Sequence, residues 1–202
     1  MLTRKDLRPG DIMCQFIAPT FAGAFIAAGQ ALTMNRNSNI VHAGILFDGV
    51  YMIEALAKGI SATDLRIQDR KYHYLVFRAT TQSIAQGAAD CANMMLKINH
   101  TQKSLPYDTK GAVGSIFGNG TAAKSPAEMD QLLDRILAGK GHPFFCSQFV
   151  VYVYQFVAEQ NGMPAGSLLA LSDPKVPPAR LTTFLQTSPN FKLVGELPAN
   201  AR

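Results

Sequence analysis

Cysteine is scarce in this chain and charge is thin. Only Cys14, Cys91 and Cys146 occur among 202 residues, an odd number with no CxxC spacing. That argues against a disulfide framework and against a structural zinc site. Charged residues make up 16% and apolar residues 48%, the balance of a globular chain rather than a disordered one. A net charge of +5 comes without any dense basic run, because Arg4, Lys5, Arg8, Arg66, Arg70 and Lys71 are scattered. Nucleic acid is therefore not expected as a partner, although an anionic polymer or surface stays open as substrate. No unbroken apolar h-region follows Met1, so no cleaved signal peptide is expected and synthesis in the cytoplasm is. The most apolar early stretch, FAGAFIAAGQAL, is short and carries Gly and Gln. It falls below a membrane span, and no transmembrane segment is expected. The Gly-rich GSIFGNG lacks the Gly-Lys-Ser/Thr ending of a phosphate-binding loop, which sets nucleotide binding aside.

What is present reads as one domain over residues 1–202, long enough to bury a proper core. A turn dipeptide opens PGDIMCQFI, which continues as a short strand. Phe21, Ala24, Phe25, Ala28 and Leu32 recur at helical spacing. Three β-rich runs follow a polar loop: IVHAGILF and VYMIEAL, joined by Asp48-Gly49, and then HYLVFRA. Ile84, Ala88, Cys91, Met95 and Ile98 return to helical spacing. Residues 100–120 read as a long polar loop. A helix is predicted after the capping box of Ser125 and Glu128, with Pro126 at its first position. The tail is punctuated by proline, with one short helical turn and a final strand. The fold class expected is α+β.

The segment GHPFFCSQFVVYVYQFVAEQNG, residues 141–162, raises the functional question. Its β-branched and aromatic content suits a strand, but the apolar pattern outlasts the usual strand. Gln148, Gln155 and Glu159 also fall on one face of a 3.6-residue period. Asn161-Gly162 supplies a stop and Pro143 bars an earlier start. A helix is predicted, with Cys146 or Ser147 at its N-terminus, where free N–H groups favour a thiolate. The competing reading makes Cys146 a small core residue among phenylalanines. Cys14 and Cys91, inside apolar periodic segments, are read as core.

A thiol needs a base. His42 opens HAGILF beside Ala and Gly, which leave room for close approach. The next strand carries Glu54, a lone carboxylate in an apolar run, and such a group needs a partner. Asp48-Gly49 makes antiparallel pairing of the two runs plausible and would bring Glu54 to the imidazole. Cysteine, histidine and an acidic orienter are the parts of a thiol-hydrolase triad. His73, at a strand start, and His100, in a polar loop, are weaker candidates. His142 is the rival base by proximity, but it precedes the cysteine by four residues and points away in most such arrangements.

Together LRPGDI, VHAGILF, MIEAL and a late FCSQFV resemble the circularly permuted branch of the NlpC-type papain-like cysteine hydrolases, and within it the YiiX-like members. In ordinary NlpC peptidases the cysteine helix comes first; in the permuted branch the histidine strand does, as here. The resemblance runs from about Leu7 to SPNFKLV. It implies a permuted papain-like fold, a small antiparallel sheet or open barrel packed against helices that include the cysteine helix. It implies Cys146 as nucleophile, His42 as base and Glu54 as orienter, with the Cys146 N–H in the oxyanion hole. It also matches Tyr107, in LPYD, to a substrate-side tyrosine of some members. No cofactor or metal is implied. A sister group, the lecithin:retinol acyltransferase-like proteins, carries a second histidine where Glu54 stands and tends to have asparagine where Phe145 stands.

The function this implies is hydrolysis of an amide bond by a cysteine peptidase, with cell-wall (peptidoglycan) peptides as substrate. NlpC-like folds occur among antibacterial effectors, so the expectation extends to a toxin delivered into a target periplasm. Such a toxin would need a secretion-machine carrier and an immunity protein. Two alternatives accompany it: a lipid amidase, thioesterase or acyltransferase on the same three residues, and a catalytically silent binding module.

Overall fold

The turn ahead of the first strand shows how tightly the sequence is constrained. Gly10 has φ of +82°, and a Cβ there would lie 2.0 Å from the Ala85 carbonyl oxygen. Only glycine fits both demands. The structure, a computed structural model, describes residues 1–17, 37–56, 59–68, 72–101, 145–164, 166–171 and 176–200. The helices expected over residues 21–32 and 125–139, together with Tyr107 and His142, lie outside these.

After a 3-10 turn at Arg4–Asp6, the strands are β1 (Ile12–Phe16), β2 (Ile40–Leu46), β3 (Tyr51–Leu56), β4 (Gly59–Asp64), β5 (Tyr74–Ala79) and β6 (Phe191–Leu197). The helices are α1 (Leu65–Gln68), α2 (Gln82–Thr101), α3 (Phe145–Gln160) and α4 (Pro178–Thr187). The chain is thus α+β: the strands form one sheet in the order β4-β3-β2-β1-β5-β6, with every neighbouring pair antiparallel. The three β-rich runs of the sequence are β2, β3 and β5. The β2–β3 hairpin turns where expected, with the Asp48 carboxylate accepting from the N–H groups of Val50 and Tyr51 at 2.7 Å each.

The period-two alternation of the strands serves two cores. One face carries Ile12, Cys14, Ala43, Ile45, Ile53 and Phe77 against the helices. The other buries Met13, Leu46, Met52 and Val76 with Leu7, Leu65 and Leu197. In α3 the positions left partly open are Gln148, Gln155 and Glu159, the predicted polar face, while Phe149, Val150 and Val153 are fully buried. Each such side chain contributes about 1.5–3 kcal/mol relative to exposure. Helices α2 and α3 touch at Gly87, where a Cβ would meet Val157 Cγ1 at 2.6 Å. Gly162, with φ of +76°, stands just past the end of α3, the left-handed C-cap that Asn161-Gly162 predicts. Two expectations are corrected. Helix α2 continues through Thr101 rather than giving way at His100, and the tail holds a ten-residue helix, α4, rather than a single turn. No helix among the described residues is long and apolar enough to cross a membrane.

Candidate active site

Strand β2 is joined to β3 at only two positions, Ile45↔Ile53 and Leu46↔Met52. On the other side it pairs with β1 along most of its length. Leu46 donates its N–H to the Asp11 carbonyl and accepts from Gly10 N–H, both at 2.8 Å, so Leu46 faces β1. Antiparallel alternation then turns Ala43 toward β3, beyond the end of that ladder. There its N–H meets the Cys146 sulfur. A backbone donor that the sheet leaves over is thus taken by the cysteine, which satisfies the donor and favours negative charge on the thiol.

Cys146 is the second residue of α3, inside the first turn, where N–H groups lack helical partners. The adjacent Ser147 hydroxyl donates to the Val176 carbonyl, tying this helix end to the segment before α4. Across from it stands His42. His42 lies two residues before Gly44 on β2, and Glu54 two residues after Met52 on β3. Gly44 lets the strands approach, since a Cβ there would lie 2.7 Å from Met52 Cγ. His42 Nε2 is hydrogen-bonded to Glu54 Oε2, and the imidazole is also hydrogen-bonded to Cys146. Nε2 faces the carboxylate, which leaves Nδ1 for the thiol. Glu54 Oε1 accepts from the Thr63 hydroxyl on β4.

The electrostatics follow from these contacts. Burial pushes the Cys146 thiol up, but the His42 charge, its hydrogen bond and the Ala43 N–H outweigh burial, and the thiol ends below its ordinary value. Burial likewise pulls His42 down, and the charges of Cys146 and Glu54 overcome it, leaving the imidazole well above 6.5. The pair therefore favours thiolate and imidazolium. Cys14 and Cys91 behave in the opposite way: burial pushes both up to about 12. Cys14 lies close enough to feel Cys146 and sits beside the Thr182 hydroxyl, whose lowering influence does not offset desolvation. Both are core residues, as the sequence suggests.

The structure brings Cys146, His42 and Glu54 together from α3, β2 and β3. His73 is engaged elsewhere, 3.2 Å from Glu196 and with its ring 4.7 Å from that of Phe16. Thr63 is the participant that sequence reasoning missed. Its strand, GISATD, carries little of the aromatic or β-branched content that marks strands, and only the pairing with β3 reveals it. Chemically, a depressed thiol within reach of a charged imidazole, itself held by a carboxylate, is equipped for nucleophilic attack and proton transfer. Comparison with protein-family models, curated proteins and solved structures finds no match.

Proposed function

We propose that this chain is a cysteine hydrolase of the permuted NlpC-like kind, cleaving an amide bond in cell-wall peptides. The observation that carries the reading is the thiolate-favouring pair of Cys146 and His42 with Glu54 on the far imidazole nitrogen. In this mechanism the Cys146 sulfur attacks the substrate carbonyl carbon and the C–S bond forms. The oxyanion is met by N–H groups at the start of α3. His42 gives its proton to the leaving amine as the C–N bond breaks. Water then attacks the thioester with His42 as base, releasing the acid and restoring the thiol. Glu54 holds the imidazole in register and stabilises its charge throughout, the part an acidic third member plays.

His42 is the more open partner, its side chain 17% exposed against 6% for Glu54, so a substrate carbonyl would approach along the imidazole edge. The test is incubation with purified peptidoglycan and, in parallel, with phospholipid, followed by mass spectrometry of the products. New amine and carboxyl termini in the peptide stems, absent with Cys146→Ala, support the reading. Release of fatty acid or acyl transfer alone would move the assignment to lipid chemistry. No Cys146-dependent product from either would favour a silent module.

A further inference from the structure

Glu54 has a firm side and a loose side. Toward β4 the pairing is continuous, from Tyr51↔Asp64 through Glu54↔Ser61 to Leu56↔Gly59. Toward β2, which carries His42, the ladder has already ended. Backbone pairing therefore fixes Glu54 relative to β4 and leaves its relation to His42 to side chains. A carboxylate with one oxygen on an imidazole can still rotate about its last bond, and rotation would carry the imidazole with it or break the contact. The second oxygen must be held for the first to be aimed.

We infer that Thr63 is the positioning residue that does this: its hydroxyl, donating to Glu54 Oε1, aims Oε2 at His42. The hydroxyl reaches Glu54 from the diagonal position, since Thr63 pairs directly with Met52, a separation that side chains span within one sheet face. Residues 52, 54, 61 and 63 share that face by the pleat, so the contact needs no backbone distortion. Ser61, directly opposite Glu54, has the same chemistry and a shorter side chain without the β-branched methyl that locks the Thr63 rotamer. Through Glu54, Thr63 then governs how well His42 stabilises the Cys146 thiolate. This role rests on the hydrolase reading above, and the experiment separates the two.

The readout is the rate of iodoacetamide alkylation at Cys146, followed by mass spectrometry across the acid and neutral pH range, with no substrate needed. Thr63→Val, close in shape but without a donor, is expected to slow alkylation near neutral pH about tenfold, the size of one hydrogen bond to a charged group. The acid limb of the profile should move to higher pH. Thr63→Ser is expected to stay within about twofold of wild type, because it keeps the donor, and Ser61→Ala is expected to follow the wild-type profile. Repeating Thr63→Val in a Glu54→Gln background should cause no further loss. Equal slowing by Thr63→Val and Thr63→Ser, or a wild-type profile for Thr63→Val, would overturn the positioning role alone. Wild-type Cys146 alkylating no faster than Cys14 would overturn the hydrolase reading beneath it.

Discussion

Two buried carboxylates in one sheet have opposite fates. Asp11 is fully buried beside β1 and accepts from Arg78 Nε and Nη2 at 2.7 Å each, with Arg8 N–H at 2.8 Å. Glu54 is nearly as buried and takes His42 and Thr63. The oxygen count and the burial are alike; the partner differs. A guanidinium keeps its protons at any working pH, and Asp11 holds Arg78 further still from losing one. That contact can only fasten β1 to β5. An imidazole exchanges its proton near neutrality, so the Glu54 contact can tune a neighbour. A buried ion pair is a rivet in one place and a control in the other, and the partner's titration range decides which.

The sharpest way to break this comparison is at the cysteines. With both core thiols near 12, only about 10⁻⁵ of each is thiolate at neutral pH, so alkylation of Cys146 should outrun them by about a thousandfold or more. His42→Ala should abolish hydrolysis and move the Cys146 alkylation profile to higher pH, because the imidazole is the main influence opposing burial. The sign follows from the shift. A thiol held low by a cation reacts down to its depressed value, and removal of the cation confines the reaction to more alkaline conditions. Equal labelling of all three cysteines would erase the distinction.

Smaller effects should separate the two carboxylates. Glu54→Gln is expected to lower the hydrolytic rate by about 100-fold or more with little change in thermal midpoint, and to lower the His42 titration followed by NMR. Asp11→Ala should do the reverse, costing about 1.5–3 kcal/mol of stability through the lost charged hydrogen bonds of Arg78, read by urea unfolding, while His42 in the folded fraction titrates as before. If Asp11→Ala also moved His42, the two sites would be coupled and the contrast would fail. Cys146→Ala has the smallest expected effect on the fold, about 1 kcal/mol or less.

Much of this was legible in the residues. The Asp48-Gly49 turn and the alternation around it yield β2 and β3, and a lone Glu54 in an apolar strand points to its imidazole partner because a buried charge must be met. The polar spacing of Gln148, Gln155 and Glu159 resolves α3 against its strand-like composition. What stayed hidden depended on pairing rather than on local preference. Strand β4 is Gly, Ile, Ser, Ala, Thr and Asp, and nothing in that run announces a strand. With β4 unseen, Thr63 could not be placed. The Ala43 N–H was equally invisible, since it follows from where the β2–β3 ladder stops. Helix α4 is hard to see in the sequence because its prolines suggest interruption, whereas Pro177 is the cap residue and Pro178 opens the helix, the position where proline is at home.

The assembly of the site from β2 and α3 also has a consequence in time. His42 comes from the first half of the chain and Cys146 from the second, and no local turn brings them near. The site therefore closes only after contacts far apart in the sequence have formed, the kind that loop entropy delays. Until then Cys146 is an ordinary thiol, mostly protonated at neutral pH. A chain on the ribosome, or one unfolded for any reason, is chemically quiet. Reactivity is a property acquired on folding, a latency built into the separation of His42 from Cys146 along the chain.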